Sequence, residues 1–179
     1  MKKLLLHSCC GPCSTAVIEK LLPDYDITVY YYNPNTEPFE EYEKRRIEQI
    51  KVCDYYNVPL IFGEYENEKF LEAAKGLEDV PEGGSRCLRC FDLRLRNTAE
   101  LARKLGFDCF DTTLSVSPYK DSAALIKTGS VISEEVGIEF VAGNYKKNDG
   151  YKRSCELSEM LGLYRQNFCG CNYGNWTLK

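Results

Sequence analysis

The feature that most constrains this chain is an alternation. Five short apolar or β-branched runs, at residues 2–6, 26–35, 58–65, 109–118 and 138–147, are separated by segments of helical spacing. Those segments span 14–22, 38–56, 66–77, 86–106 and 120–137. Runs of four to ten residues rich in Val, Ile, Tyr and Phe read as strands, and apolar residues recurring every three to four positions read as helices. Strands joined through helices of ten or more residues imply βαβ units, a parallel sheet and right-handed crossovers. The expected fold is α/β: a single three-layer domain over residues 1–179 with a mainly parallel five-stranded sheet. Its C-terminal segment, 148–179, is expected to hold one short helix and an irregular cysteine-bearing tail. In such sheets ligands bind beyond the carboxyl ends of the strands, near the point where strand order reverses.

Composition matters next for what it excludes. Net charge is −4, from 23 basic and 27 acidic residues, which argues against holding nucleic acid by bulk charge and leaves room only for local basic contacts. His7 is the single histidine, so a site built from several imidazoles of one chain is excluded. Cysteine is the abundant chemical residue, at ten of 179. The opening MKKLLLHSCC has no secretory apolar region and no stretch approaches the roughly 20 apolar residues of a membrane span, so a cytoplasmic location and no membrane partner are expected. Thiols stay reduced there, and clustered cysteines then point to metal or redox chemistry. Cys53, Cys109 and Cys155 are scattered and read as inert packing.

Three clusters remain. Cys9-Cys10-Gly11-Pro12-Cys13 follows the first strand at a strand-to-helix turn, where the helix N-terminus favours thiolates. Cys87-Leu88-Arg89-Cys90 opens the long helix and places two sulfurs on one side of its first turn. Two such pairs converging on one centre make a four-thiolate site, suited to zinc or to an iron–sulfur cluster. Its position at the ligand-binding end of the sheet favours the functional, iron–sulfur choice. Cys169-Gly170-Cys171 closes a small, strained and therefore labile disulfide, or supplies ligands to the same metal. Arg86, Arg89, Arg94 and Arg96 flank the second cluster, and Lys152, Arg153 and Arg165 lie in the tail. Together they suit a phosphate-bearing ligand; Arg86, Lys152 and Arg153 are the expected substrate contacts. His7 reads as a hydrogen-bonded structural residue, and Tyr30, Tyr31 and Tyr32 as packing.

The segments HSCCGPCS, YYNPNTEPFEEYEKR, RCLRCFDLRL, FDTTLSVSPYKD and YRQNFCGC, taken in order, resemble the QueH family of epoxyqueuosine reductases over about residues 3 to 173. NWTLK, beyond Gly174, lies outside that pattern. The resemblance implies an oxidoreductase that converts epoxyqueuosine to queuosine at the wobble position of tRNA, the last step of queuosine biosynthesis, without cobalamin. It implies a [4Fe-4S] cluster held by Cys9, Cys10, Cys87 and Cys90, and a catalytic, redox-active pair in Cys169 and Cys171. An additional iron is weighed beside the cluster, with Cys13 and Asp92 as its candidate ligands. The implied partners are tRNA with a modified wobble base and an electron donor, protein or small reductant, that the sequence does not name. The implied fold is similar to the adenine nucleotide α-hydrolase-like (HUP, PP-loop) group; HSCCGPCS replaces the phosphate loop and no SGGxDS is present, so ATP use is not implied. Two alternatives stand beside this: a metal-free thiol–disulfide oxidoreductase, from the CGPC and CxC spacings, and a zinc-stapled RNA-binding module without turnover.

Overall fold

The computed structural model describes residues 1–174. Along the chain run β1 (Lys2–Ser8), α1 (Gly11–Leu21), β2 (Tyr25–Tyr31), α2 (Phe39–Tyr56), β3 (Leu60–Phe62), α3 (Asn67–Ala74) and α4 (Ser85–Leu105). Then follow β4 (Cys109–Thr112), a 3-10 turn (Thr113–Val116), α5 (Ser122–Val136), β5 (Glu139–Phe140) and α6 (Gly150–Met160). The five strands form one sheet in the order β3-β2-β1-β4-β5. Every pairing is parallel, with Leu4 opposite Ile27 on one side and Cys109 on the other.

The run Leu4-Leu5-Leu6 is fully buried because the central strand is covered on both faces. Alternation sends Leu4 and Leu6 to one side, against Val17, Ile18 and Val52 of α1 and α2. Leu5 goes to the other, against Leu95, Ala99 and Leu125 of α4 and α5. α6 packs on α1, and α3 on α4, completing a layer of three helices on each face. The expected α/β, three-layer, five-stranded architecture is the one found, with a sheet parallel throughout. Among the described residues no helix is long and apolar enough to cross a membrane.

Several boundaries differ from expectation, the third strand shrinking from 58–65 to Leu60–Phe62 among them, and three have a plain local reason. α1 starts at Gly11 rather than Ser14: Pro12 sits in its first turn, where the missing N–H costs nothing. β4 ends at Thr112, whose hydroxyl accepts a hydrogen bond from Leu114 N at 3.2 Å and turns the chain into the 3-10 turn. The expected fifth strand shrinks to Glu139–Phe140, because the backbone reaches φ 60° at Ala142 and leaves the sheet. The described part of the tail beyond Met160 carries no further helix, as expected; Asn175 and the residues after it lie outside the described residues.

Candidate active site at the carboxyl edge of the sheet

β1 and β4 are neighbours whose flanking strands lie in opposite directions, so strand order reverses there. Cys9 and Cys10 fill the turn from β1 to α1. Cys10 is the N-cap of α1, with extended backbone, and its sulfur accepts from Cys13 N at 3.5 Å. Cys9 Sγ lies 3.8 Å from Cys10 Sγ and 3.7 Å from Thr113 Oγ1. The sulfurs of Cys9, Cys10 and Cys13 all lie within 4.8 Å of one another. Gln166, from the tail, donates its amide to Cys10 Sγ at 2.8 Å. The tight turn needs Gly11: a Cβ there would stand 2.8 Å from the Glu48 carbonyl of α2.

Two thiols donating to one sulfur hold Cys9 well below its ordinary range. Burial pushes Cys10 up to about 12, and Cys13 rises because it donates to Cys10 and Cys9. A thiolate flanked by two thiols is what a metal replaces, since coordination substitutes for the protons. Around one tetrahedral ion with metal–sulfur bonds of about 2.3 Å, sulfurs sit roughly 3.8 Å apart. The donor set therefore fits a thiophilic metal, and the partly buried triad is the candidate metal-binding group.

A second sulfur group lies alongside. Cys87 and Cys90 share one pocket with Cys169 and Cys171, and Arg94 and Lys120 also line it. Arg94, Lys120 and Cys169 line the neighbouring cleft too, together with Cys9 and Cys13. The two sulfur groups are thus reached through adjoining spaces with a shared wall. Cys169 and Cys171 are unbonded, with sulfurs 3.8 Å apart. The Cys171 thiol donates to Cys169, which outweighs burial and holds Cys169 down at about 4, while Cys171 shifts upward. Gly170 sits at φ 123°, a region closed to other residues, and a Cβ there would meet Arg45 Nη1 at 3.0 Å. Arg45, 2% exposed, clamps the tail by donating to the Cys169 carbonyl at 3.0 Å and the Phe168 carbonyl at 3.1 Å.

The expected substrate contacts land differently. Arg86 is enclosed, and its guanidinium donates to the carbonyls of Leu77, Glu78, Val80 and Tyr173. It is a strut for the loop over Cys87 and also lines the pocket of Cys87, Cys90, Cys169 and Cys171, with its Nε left without a hydrogen-bond partner. Lys152 is exposed on α6, outside the cleft, and Arg153 pairs with Glu19 at 2.7 Å and Glu156 at 3.3 Å. From α6 it is Tyr151 and Ser154 that line the cleft, and from the tail Arg165 and Gln166. Asp92 does not join Cys13: it faces an outer groove and is held by Arg96 at 3.0 Å. His7 is structural as expected, between Thr112 Oγ1 and the Tyr32 carbonyl, both at 2.9 Å. Burial, then the Arg94 charge, lowers it to about 4, so the ring is neutral. Sequence reasoning missed Arg45, Lys120 and Gln166; Arg94 was only one of four flanking arginines, although its spacing of seven from Cys87 and four from Cys90 puts all three on one helix face.

Comparison with known proteins agrees with this geometry. The model of the family described as epoxyqueuosine reductase QueH matches residues 4–177, three residues past Gly174, where the resemblance was expected to stop. An epoxyqueuosine reductase QueH of Streptococcus pyogenes serotype M1 is 39% identical over 176 residues, covering 95% of this chain and 69% of that protein. One of Thermotoga maritima is 38% identical over 174 residues, covering 96% of this chain and 89% of that protein.

Proposed function

This chain belongs to the epoxyqueuosine reductase QueH family, and from that premise we propose that it reduces epoxyqueuosine to queuosine at the wobble position of tRNA. The observation that carries the proposal is the partly buried Cys9, Cys10, Cys13 sulfur triad at the switch point of the sheet, beside a second group of four cysteines. An enzyme that removes an epoxide oxygen needs two electrons, protons and a place for the departing oxygen, and a dithiol oxidised to a disulfide supplies the first.

The [4Fe-4S] cluster would be held by Cys9, Cys10, Cys87 and Cys90, with Cys13 left for an additional iron. When bound, such a group supplies one-electron redox capacity and Lewis acidity. The chain's own residues do the rest. Cys169, as thiolate, and Cys171, as thiol, form the two-electron pair and end as a disulfide, which an external donor, protein or small reductant, resets. The Arg45 clamp holds that pair beside the cleft. His7, neutral and bonded at both nitrogens, fixes the end of β1 and exchanges no proton. Lys120 and Arg165 draw the RNA toward the cleft, and Lys152 and Arg153 contact its backbone beyond it, which answers the acidic overall charge with local contacts. The enzyme is cytoplasmic, where its tRNA substrate is found.

The test is anaerobic purification, iron and sulfide analysis, and incubation with tRNA carrying epoxyqueuosine under a strong reductant. Nucleoside mass spectrometry should show queuosine replacing the epoxide. A colourless protein holding stoichiometric zinc and leaving the epoxide intact would support the zinc-stapled module instead.

A further inference from the structure

Of the four arginines on α4 near the second cysteine pair, three have partners in the fold. Arg86 braces four carbonyls, Arg89 donates to the Ala73 carbonyl at 3.2 Å, and Arg96 pairs with Asp92 and Glu135. Arg94 does not. Its side chain is 3% exposed, Nε has no hydrogen-bond partner, and its one bond, to Asn33 Oδ1, is long at 3.5 Å. Among the described residues no carboxylate lies within ion-pair distance of it. No sulfur accepts from it either, so a guanidinium with five donors is buried almost unused. Its charge is met only by the Cys9 and Cys169 thiolates it helps to hold, and its donors stay free for a partner that arrives with the ligand.

The location says what that partner is. Arg94 lines both the cleft of Cys9 and Cys13 and the pocket of Cys87, Cys90, Cys169 and Cys171, and Lys120 shares both positions. Its charge acts on Cys9, Cys90 and Cys169 alike, so it stands between the two sulfur groups. Resting on the reductase assignment above, we propose that Arg94, with Lys120, is the oxyanion site that receives the epoxide oxygen as its carbon–oxygen bonds break. The balance is complete. The epoxide, the Cys169 thiolate, the Cys171 thiol and one solvent proton give the alkene, the Cys169–Cys171 disulfide and water. Two carbon–oxygen bonds break, a carbon–carbon π bond and a sulfur–sulfur bond form, and both protons leave on the oxygen. Between losing carbon and gaining protons that oxygen carries the negative charge, and preorganised donors in a dry site act most strongly there.

The experiment compares wild type, Arg94→Gln and Arg94→Lys. In Arg94→Gln the single-turnover rate on epoxyqueuosine-bearing tRNA should fall roughly 10²- to 10³-fold while tRNA affinity changes less than about threefold. Arg94→Lys, which keeps the charge, should recover part of that loss. The metal-free Arg94→Gln protein should melt close to the wild-type temperature, because the guanidinium makes only one long hydrogen bond in the fold. An unchanged rate overturns the proposal, as does a parallel loss of tRNA affinity, which would make Arg94 a phosphate contact. A marked fall in melting temperature, or a rate that Arg94→Lys does not recover at all, overturns it in favour of a structural role. Wild type that leaves the epoxide untouched refutes the reductase assignment itself and takes this inference with it; active wild type beside an equally active Arg94→Gln refutes this inference alone.

Discussion

Replacing Arg45 by Met keeps much of the volume in α2 and removes the tail clamp. Wild-type Arg45 donates Nε to Glu41 at 2.9 Å and its two terminal nitrogens to the Cys169 and Phe168 carbonyls, with the guanidinium 4.9 Å from the Phe168 ring centre. Each charge-assisted bond to a carbonyl is worth about 1.5–3 kcal/mol, so losing two removes about 3 kcal/mol even at the lower end. At 1.4 kcal/mol per decade, the open-tail population rises roughly 150-fold. Two bonds from Tyr164 to α2 remain, its backbone N to Glu48 and its hydroxyl to Glu41, so opening should begin after residue 164. The assay is amide hydrogen exchange on the reduced, metal-free protein, paired with thiol labelling of Cys169 and Cys171. Exchange at residues 168–171 and labelling of both cysteines should accelerate together, while α4 and α5 keep wild-type rates. Acceleration below about threefold, or an equal acceleration across the sheet, would refute the idea that this guanidinium locks a separable tail.

Gly11→Ala pushes a methyl into the Glu48 carbonyl of α2 and should cost about 1–3 kcal/mol in urea unfolding, with loss of bound metal as the turn opens. Cys9→Ser should lose bound metal, whereas Cys109→Ser, in the apolar core, should keep wild-type metal content and turnover. Asp111 gives a pH test: burial raises it from 3.8 to about 7, despite bonds from Tyr145 O–H, Thr112 N and Gly143 N. The folded state then binds more protons than the unfolded one between those values, so this group's contribution is full at low pH and declines as pH rises from about 4 to 7. Wild type minus Asp111→Asn stability, from urea curves across that window, should fall steadily with pH; a flat difference would contradict the shift.

The layers of the fold were legible because buried parallel strands leave a plain mark. Leu4-Leu5-Leu6 is apolar without alternation, and only a strand covered on both faces tolerates that. The stretch 109–118 misled for the same reason: Leu114 and Val116 are buried, yet in a 3-10 turn, and burial alone does not separate the two shapes. At the site, cysteines following β1 and opening α4 could be placed from the element order. The choice among the basic residues could not. Arg86, Arg89, Arg94 and Arg96 are alike in sequence, and only the rotation of α4 against β1 and the tail decides which is buried without a carboxylate. Arg45 shows locally only an i,i+4 pairing with Glu41; the carbonyls it clamps lie 123 and 124 residues away.

Net charge says little about the field at the carboxyl edge, and the cysteines themselves measure the difference. α1, α4 and α5 all begin there, aiming the positive ends of their dipoles at the site. Arg86 adds a cation braced on carbonyls, which fixes a positive charge without cancelling it, and Arg94 adds one without an ion-paired carboxylate among the described residues. Cys53 and Cys109, in the apolar core, are each pushed by burial to about 11. Cys169 is buried too, yet the Cys171 thiol first, then Lys120 and Arg94, hold it near 4. Burial alone would have raised Cys169 as it raises Cys53 and Cys109. What separates Cys9 and Cys169 from Cys53 and Cys109 is first a neighbouring thiol that donates to each, then the positive charge collected at this edge. An acidic chain collects it by keeping carboxylates on the outer helix faces, as Asp92 and Glu135 are kept by Arg96.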